Sequence, residues 1–160
     1  MSDKKNIFIS HVHEDDDLLP KLKNLISNAG MDVRDGSINS NKPNNANNVE
    51  YIKEKYLKPH IDWASTLVVL ITHETAQSDW VNWEIKYAVM QGKHIVGVFA
   101  QGATDADIPE ELRKHGDAAV VGWQGERVVD AINGTITSWD DPVTGSPRTK
   151  PDWEAKRYSC

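Results

Sequence analysis

The sequence predicts an α/β protein: a parallel sheet covered by helices on both faces. Three observations carry this. Short apolar runs alternate with segments of helical periodicity along most of the chain. One run, TLVVLI (66–71), is apolar on both faces and rich in β-branched residues, the pattern of a strand buried inside a parallel sheet. A length of 160 residues suits one domain with one sizeable core.

The elements follow in order. NIFIS (6–10) is the first strand. DLLPKLKNLISNAG (17–30) places Leu18, Leu22, Leu25, Ile26 and Ala29 at helical spacing, with Gly30 as the stop. MDVRD (31–35) reads as a short second strand. GSINSNKPNNANN (36–48) is too polar to pack and reads as a long loop. VEYIKEKYLKPHIDWA (49–64) is a helix with Val49, Ile52, Tyr56 and Leu57 on one side, and Pro59 should end or kink it near Lys58. After the third strand, 66–71, a helix covers SDWVNWEIKYA (78–88). HIVGVF (94–99), a short helix near 108–115, DAAVVGW (117–123) and a last helix, GERVVDAING (125–134), complete the alternation. Residues 1–134 then form the domain. Residues 135–160, rich in Pro, Gly, Ser and Asp and without a period, form a tail packed on it or extending from it.

Composition narrows the function. A net charge of −6 argues against general binding to nucleic acid or an anionic membrane, either of which needs a basic surface. The one cysteine, Cys160, leaves no disulfide framework and no thiolate metal cluster. No apolar run reaches the ~20 residues that cross a bilayer. MSDKKNIFIS enters a strand directly and lacks the apolar stretch of a signal peptide. The expectation is a cytoplasmic protein.

In a parallel sheet of this kind the ligand crevice lies beyond the carboxyl ends of the strands. The residues expected there are Ser10 and His11 after the first strand, and Arg34, Asp35 and Ser37 after the second. Thr72, His73 and Ser78 follow the third, with the first turns of the 78–88 helix. That helix contains an anomaly. At roughly 100° per residue, Trp83, Tyr87, Trp80, Ala88 and Val81 fill one apolar arc, and Asn82 and Lys86 lie opposite. Glu84 falls inside the arc, between Trp80 and Ala88. Either its carboxylate swings out to water, or it lines a cleft, where burial of an isolated charge would cost several kcal/mol.

Other chemistries are poorly supported. HVHEDDD (11–17) has the His-x-His-x-Asp spacing of a metallo-β-lactamase-like site, so a metal-dependent hydrolase using His11 and His13 is conceivable. Asp16, however, stands where the motif needs a final histidine. The plainer reading is a solvated loop whose acids favour a helix amino terminus. There is no GxxxxGK[ST], no GxGxxG after a strand and no GxSxG. Trp63 and Trp123 flank strands and are expected in the core, whereas Trp139 and Trp153 fall in the tail.

Taken in order, four segments resemble the TIR domain family, most closely the TIR-like proteins of bacterial Thoeris anti-phage systems. FISH (8–11), followed by acids, is similar to the family's opening strand, and VRDGSI (33–38) to its second strand and variable loop. YIKEKYLKPHIDWASTLVVLIT (51–72) is similar to its next helix and third strand. SDWVNWEI (78–85) fits S-x-W-C-x-x-E through Ser78, Trp80 and Glu84, with Val81 in place of the usual cysteine. The resemblance spans roughly residues 5 to 134.

This resemblance implies a flavodoxin-like, three-layer fold with strand order 2-1-3-4-5. It also implies cleavage of NAD+ between nicotinamide and ribose, with Glu84 as the catalytic glutamate and a cyclic ADP-ribose isomer as product. Phe8, Ser10, His11, Asp35, Ser37, Ser78, Trp80 and Trp83 would line the substrate pocket. NAD+ is then substrate, and no cofactor or metal is required. The implied partners are further copies through TIR–TIR contacts, which often complete the site, and a separate effector protein that senses the product. A non-catalytic interaction module on the same fold is the competing implication.

Overall fold

The computed structural model describes residues 5–12, 15, 17–35, 57–115, 118–136, 138–142 and 144–147. The expected loop at 36–48 with Ser37, residues 49–56 of the expected 49–64 helix, His13 and the tail beyond 147 lie outside these residues. Strands β1 (Lys5–Ser10), β2 (Val33–Asp35), β3 (Thr66–Ile71), β4 (His94–Phe99) and β5 (Ala119–Val121) form one parallel sheet. Its order is β2-β1-β3-β4-β5, the flavodoxin-like order expected. Helices α1 (Leu18–Asn28), α2 (Lys58–Trp63), α3 (Asp79–Met90), α4 (Glu110–Lys114) and α5 (Gly125–Asn133) follow the strands.

Strand alternation divides the interior into two layers. Ile7, Ile9, Val68, Leu70, Val96, Val98, Ala119 and Val121 pack with Leu19, Leu22 and Ile26 of α1 and Val128, Ala131 and Ile132 of α5. On the other face, Phe8, Leu67, Val69, Ile71, Ile95, Phe99 and Val120 pack with Ile61 of α2, Val81, Ile85 and Ala88 of α3, and Leu112 of α4. Every residue of β3 is buried, as its two-sided apolar pattern requires.

Two glycines allow close approach. A Cβ on Gly97, in the middle of β4, would meet Leu112, Val120 and Ile71 side chains at 3.0–3.2 Å, so its absence lets α4 settle onto the sheet. A Cβ on Gly125 would stand 2.8 Å from the Leu25 carbonyl oxygen, because α5 begins directly against α1. That contact is with backbone and cannot be relieved by turning a side chain. Gly125→Ala is therefore expected to cost about 2 kcal/mol of stability, measurable as a lower urea midpoint at unchanged slope.

Pro59 sits in the first turn of α2, where a residue lacking an N–H forfeits no helical hydrogen bond; the expected helix before it lies outside the described residues. One expectation fails for an identifiable reason. Trp63 is 43% exposed rather than in the core, because α2 ends there and turns Ala64 inward instead. Trp139, in the segment expected to pack on the domain or extend from it, is 1% exposed and joins the layer of Val120, Leu112 and α3. Its segment runs beside β5: Val120 N–H donates to Ser138 O (3.1 Å) and Asp140 N–H to Val120 O (2.7 Å).

The neighbouring Asp140 is buried and pairs with Arg127 of α5, whose Nε donates to Asp140 Oδ2 at 2.9 Å. That hydrogen bond first, and the Asp140 and Asp130 charges after it, hold the guanidinium above its ordinary range against the opposing effect of burial. A raised basic group contributes its stability fully below its ordinary range, so the contribution is complete throughout the neutral and acidic range as far as Arg127 is concerned. Among the described residues no helix is long and apolar enough to cross a membrane.

Candidate functional site

Ser10 ends β1 two residues after Phe8, so strand alternation turns its side chain toward α3. On α3, the buried residues Val81, Glu84, Ile85 and Ala88 form the stripe that faces the sheet. Glu84 is therefore not at the margin of the apolar surface, and the reading in which it swings to water does not hold. It is 6% exposed, Ser10 is fully buried, and Ser10 Oγ donates to Glu84 Oε1 at 2.7 Å. A hydroxyl donor directed at a buried carboxylate stabilises its charged form and fixes its orientation.

The start of α3 is held by several contacts. Ser78 caps it by accepting from Val81 N–H at 3.2 Å, and Asp79 in the first turn complements the helix dipole. Asn82, expected on the solvent side, donates to Ser78 O (3.0 Å) and accepts from Glu111 N–H (3.1 Å), tying α3 to α4. Buried Thr75 accepts from Thr72 N–H at 2.7 Å and donates to Leu70 O at 3.2 Å, which shapes the turn leading into the helix. The Thr72 hydroxyl donates to Asp15, joining the loops beyond β3 and β1. Glu84 thus hangs from a turn fixed on both sides.

The other expected site residues are distributed unevenly. Phe8 is 1% exposed and packs in the inner layer with Val81 and Ile85, supporting the Ser10–Glu84 pair from the core. His11 follows directly, its Nδ1–H donating to Ile9 O at 3.1 Å. Trp83 stacks on Tyr87 (centroids 5.4 Å apart, planes 5° apart), and Tyr87 in turn donates to Asp62 of α2. This aromatic pair is partly buried against the α2 side, while Trp80 is 37% exposed. Asp35 closes β2 at the same end of the sheet, but its side chain and all of Ser37 lie outside the described residues.

Among the described residues no group of three His, Cys, Asp or Glu is placed to hold a metal. His13, needed for the metallohydrolase reading, is outside them. A cavity of about 230 Å³ bounded by Val89, Lys93, His94 and His115 opens at the amino end of β4, opposite to the end where Ser10 lies. It is on the wrong side of the sheet for the crevice of such folds.

Sequence reasoning missed Asp107 and Thr75. Thr104-x-x-Asp107 is a capping-box spacing, formed as such in the structure, and was a readable signal for Asp107. Thr75 carries no comparable pattern.

Comparison with known proteins gives three findings. The family described as Thoeris protein ThsB, TIR-like domain, matches residues 8–105, more than half of the chain. No curated protein matches. Among solved structures, the chain is similar to one titled "Structure of Clostridium botulinum CMP N-glycosidase, BcmB". The identity is 15% and the TM-score 0.47, covering 78% of this chain and 93% of that one.

Proposed function

We propose, from the premise that this chain belongs to the Thoeris protein ThsB TIR-like family, that it cleaves NAD+ and uses Glu84 to do so. The observation that carries the reading is the buried Ser10–Glu84 hydrogen bond at the carboxyl end of the sheet. Cleavage of the bond between nicotinamide and ribose leaves a sugar with oxocarbenium character. A carboxylate already stripped of water and fixed in position stabilises that charge without having to reorganise. Nicotinamide is cationic in the substrate, so it departs as a neutral base and needs little acid catalysis. NAD+ is consumed as substrate, and no cofactor or metal takes part in this proposal.

The finer outcome belongs to the same proposal. Capture of the ribosyl cation by the far half of the same molecule, in place of water, yields a cyclic ADP-ribose isomer. Such a product would act as a messenger to a separate effector protein in anti-phage defence. In the same proposal, contacts between copies of the chain would complete the pocket around Glu84. The decisive experiment incubates the purified chain with NAD+ and follows nicotinamide, ADP-ribose and cyclic products by mass spectrometry. Absence of nicotinamide release at every protein concentration would leave the interaction-module reading in its place.

Ser10→Ala is expected to lower kcat about 10-fold with KM little changed. It removes a donor from a buried carboxylate, at about 1–3 kcal/mol, while leaving the charge. Steady-state kinetics of nicotinamide release check this. An unaltered kcat would remove Ser10 from the mechanism.

A further inference from the structure

The loops beyond β3 and β4 are joined by a histidine–carboxylate pair. His73 Nδ1 donates to Asp107 Oδ2 at 3.0 Å, and the same oxygen accepts from Thr104 N–H (2.9 Å) and the Thr104 hydroxyl (3.4 Å). The Asp107 side chain is 11% exposed and that of His73 is 69% exposed. A carboxylate only accepts, so Nδ1 is the donor and Nε2 is the nitrogen left outside the pair. Nε2 lies beside the turn at Gly102, where even an added Cβ would keep 3.9 Å away. One ring nitrogen is anchored by a sheltered acid while the side chain as a whole stays largely exposed, an arrangement in which a protein can present a proton acceptor.

Its position relates it to Glu84. Ser10 pairs with Val69 across the sheet, and His73 lies four residues farther along, next to Thr72, which is bonded to Asp15 in the loop after β1. β3 ends at Ile71 and the chain turns at His73, so the imidazole belongs to the carboxyl-end rim of the sheet at which Ser10 also stands. A dinucleotide whose ribose is held by Glu84 has its far half to place along that rim. The charged groups around it are Asp107 and Asp105 on the β4 side, with Arg113 donating to the Asp105 and Ala106 carbonyls. Glu74 is its neighbour in its own loop, and Asp15 stands on the β1 side.

We infer that His73, held by Asp107, accepts the proton lost by the attacking hydroxyl or amine of the substrate's far half; this rests on the NAD+-cleaving reading. In that step a bond forms between the attacking atom and ribose C1. The bond from C1 to the nicotinamide nitrogen breaks, and its electron pair neutralises the pyridinium charge. The attacker's proton passes to Nε2, and Nδ1 keeps its own proton on Asp107. The imidazolium then returns one proton to solvent, which balances the overall release of one proton per turnover.

The test compares the wild-type chain with His73→Gln and Asp107→Asn, with products quantified by mass spectrometry across the pH range in which all three stay folded. His73→Gln is expected to reduce cyclic product about 100-fold at saturating NAD+ with KM within about twofold, since such proton transfers contribute about 10²–10⁴. ADP-ribose from water becomes the larger share, and the pH profile of cyclic-product formation changes. Asp107→Asn, which frees the ring to change tautomer, falls between the two. An active wild type whose pH profile and product ratio are unchanged in His73→Gln overturns this inference alone. A wild type that releases no nicotinamide overturns the NAD+ reading and this inference together.

Discussion

Glu84→Gln is expected to abolish nicotinamide release, leaving a rate at least about 10³-fold below wild type, with the fold intact. Removing one preorganised electrostatic group at a developing charge costs about 10²–10³ in kcat, and here the group lost is the charge itself. Glutamine has nearly the same shape, and its carbonyl oxygen can still accept from Ser10 Oγ, which now spans 2.7 Å. The side chain keeps its place beside Val81, Ile85 and Ala88 on the buried stripe of α3. The unfolding temperature should therefore stay within a few degrees while turnover vanishes. Equal nicotinamide release by both proteins would take Glu84 out of the chemistry.

The largest stability effect is expected far from that carboxylate. Trp139→Ala should cost about 3–5 kcal/mol, lowering the melting temperature by about 10 °C for a chain of this size. The indole is 1% exposed and shares the inner layer with Val120, Leu112 and Ala118, so its loss opens a cavity under the last strand. The damage spreads because Ser138 and Asp140, on either side of it, hydrogen-bond Val120. Asp140 also holds the Arg127 guanidinium. Thermal and urea unfolding measure the loss. A melting temperature within about 2 °C of wild type would show that residues 138–140 merely rest on the surface.

The frame of the fold was legible where one physical pattern dominated. TLVVLI could only be an inner strand, and the alternation of strand and helix gave the parallel sheet. Glu84 was legible as an anomaly because two other residues of its arc, Val81 and Ala88, do face the sheet. Trp63 was misjudged: hydrophobicity weighs it as core, yet an indole at the end of a short helix can remain half in water. Trp139 was missed for the opposite reason. Its burial depends on pairing with Val120, a long-range contact that leaves no periodic trace in a stretch of Pro, Gly, Ser and Asp. His73 was placed correctly at the end of β3, but its partner is 34 residues away, and spacing alone could not join them.

The strip formed by residues 138–140 has an effect on how molecules of this protein can meet. An outermost strand with unpaired amides and carbonyls is a template onto which another chain can add, and natural sheets cover such margins to avoid stacking into fibres. Here the chain's own Ser138 and Asp140 occupy the N–H and C=O of Val120, so the β5 margin is already closed to a foreign strand. At the opposite margin stands β2, only three residues long and offering little to zip against. Among the described residues, lateral growth of the sheet is therefore discouraged on both flanks, which leaves helices and loops as the surfaces through which copies would meet.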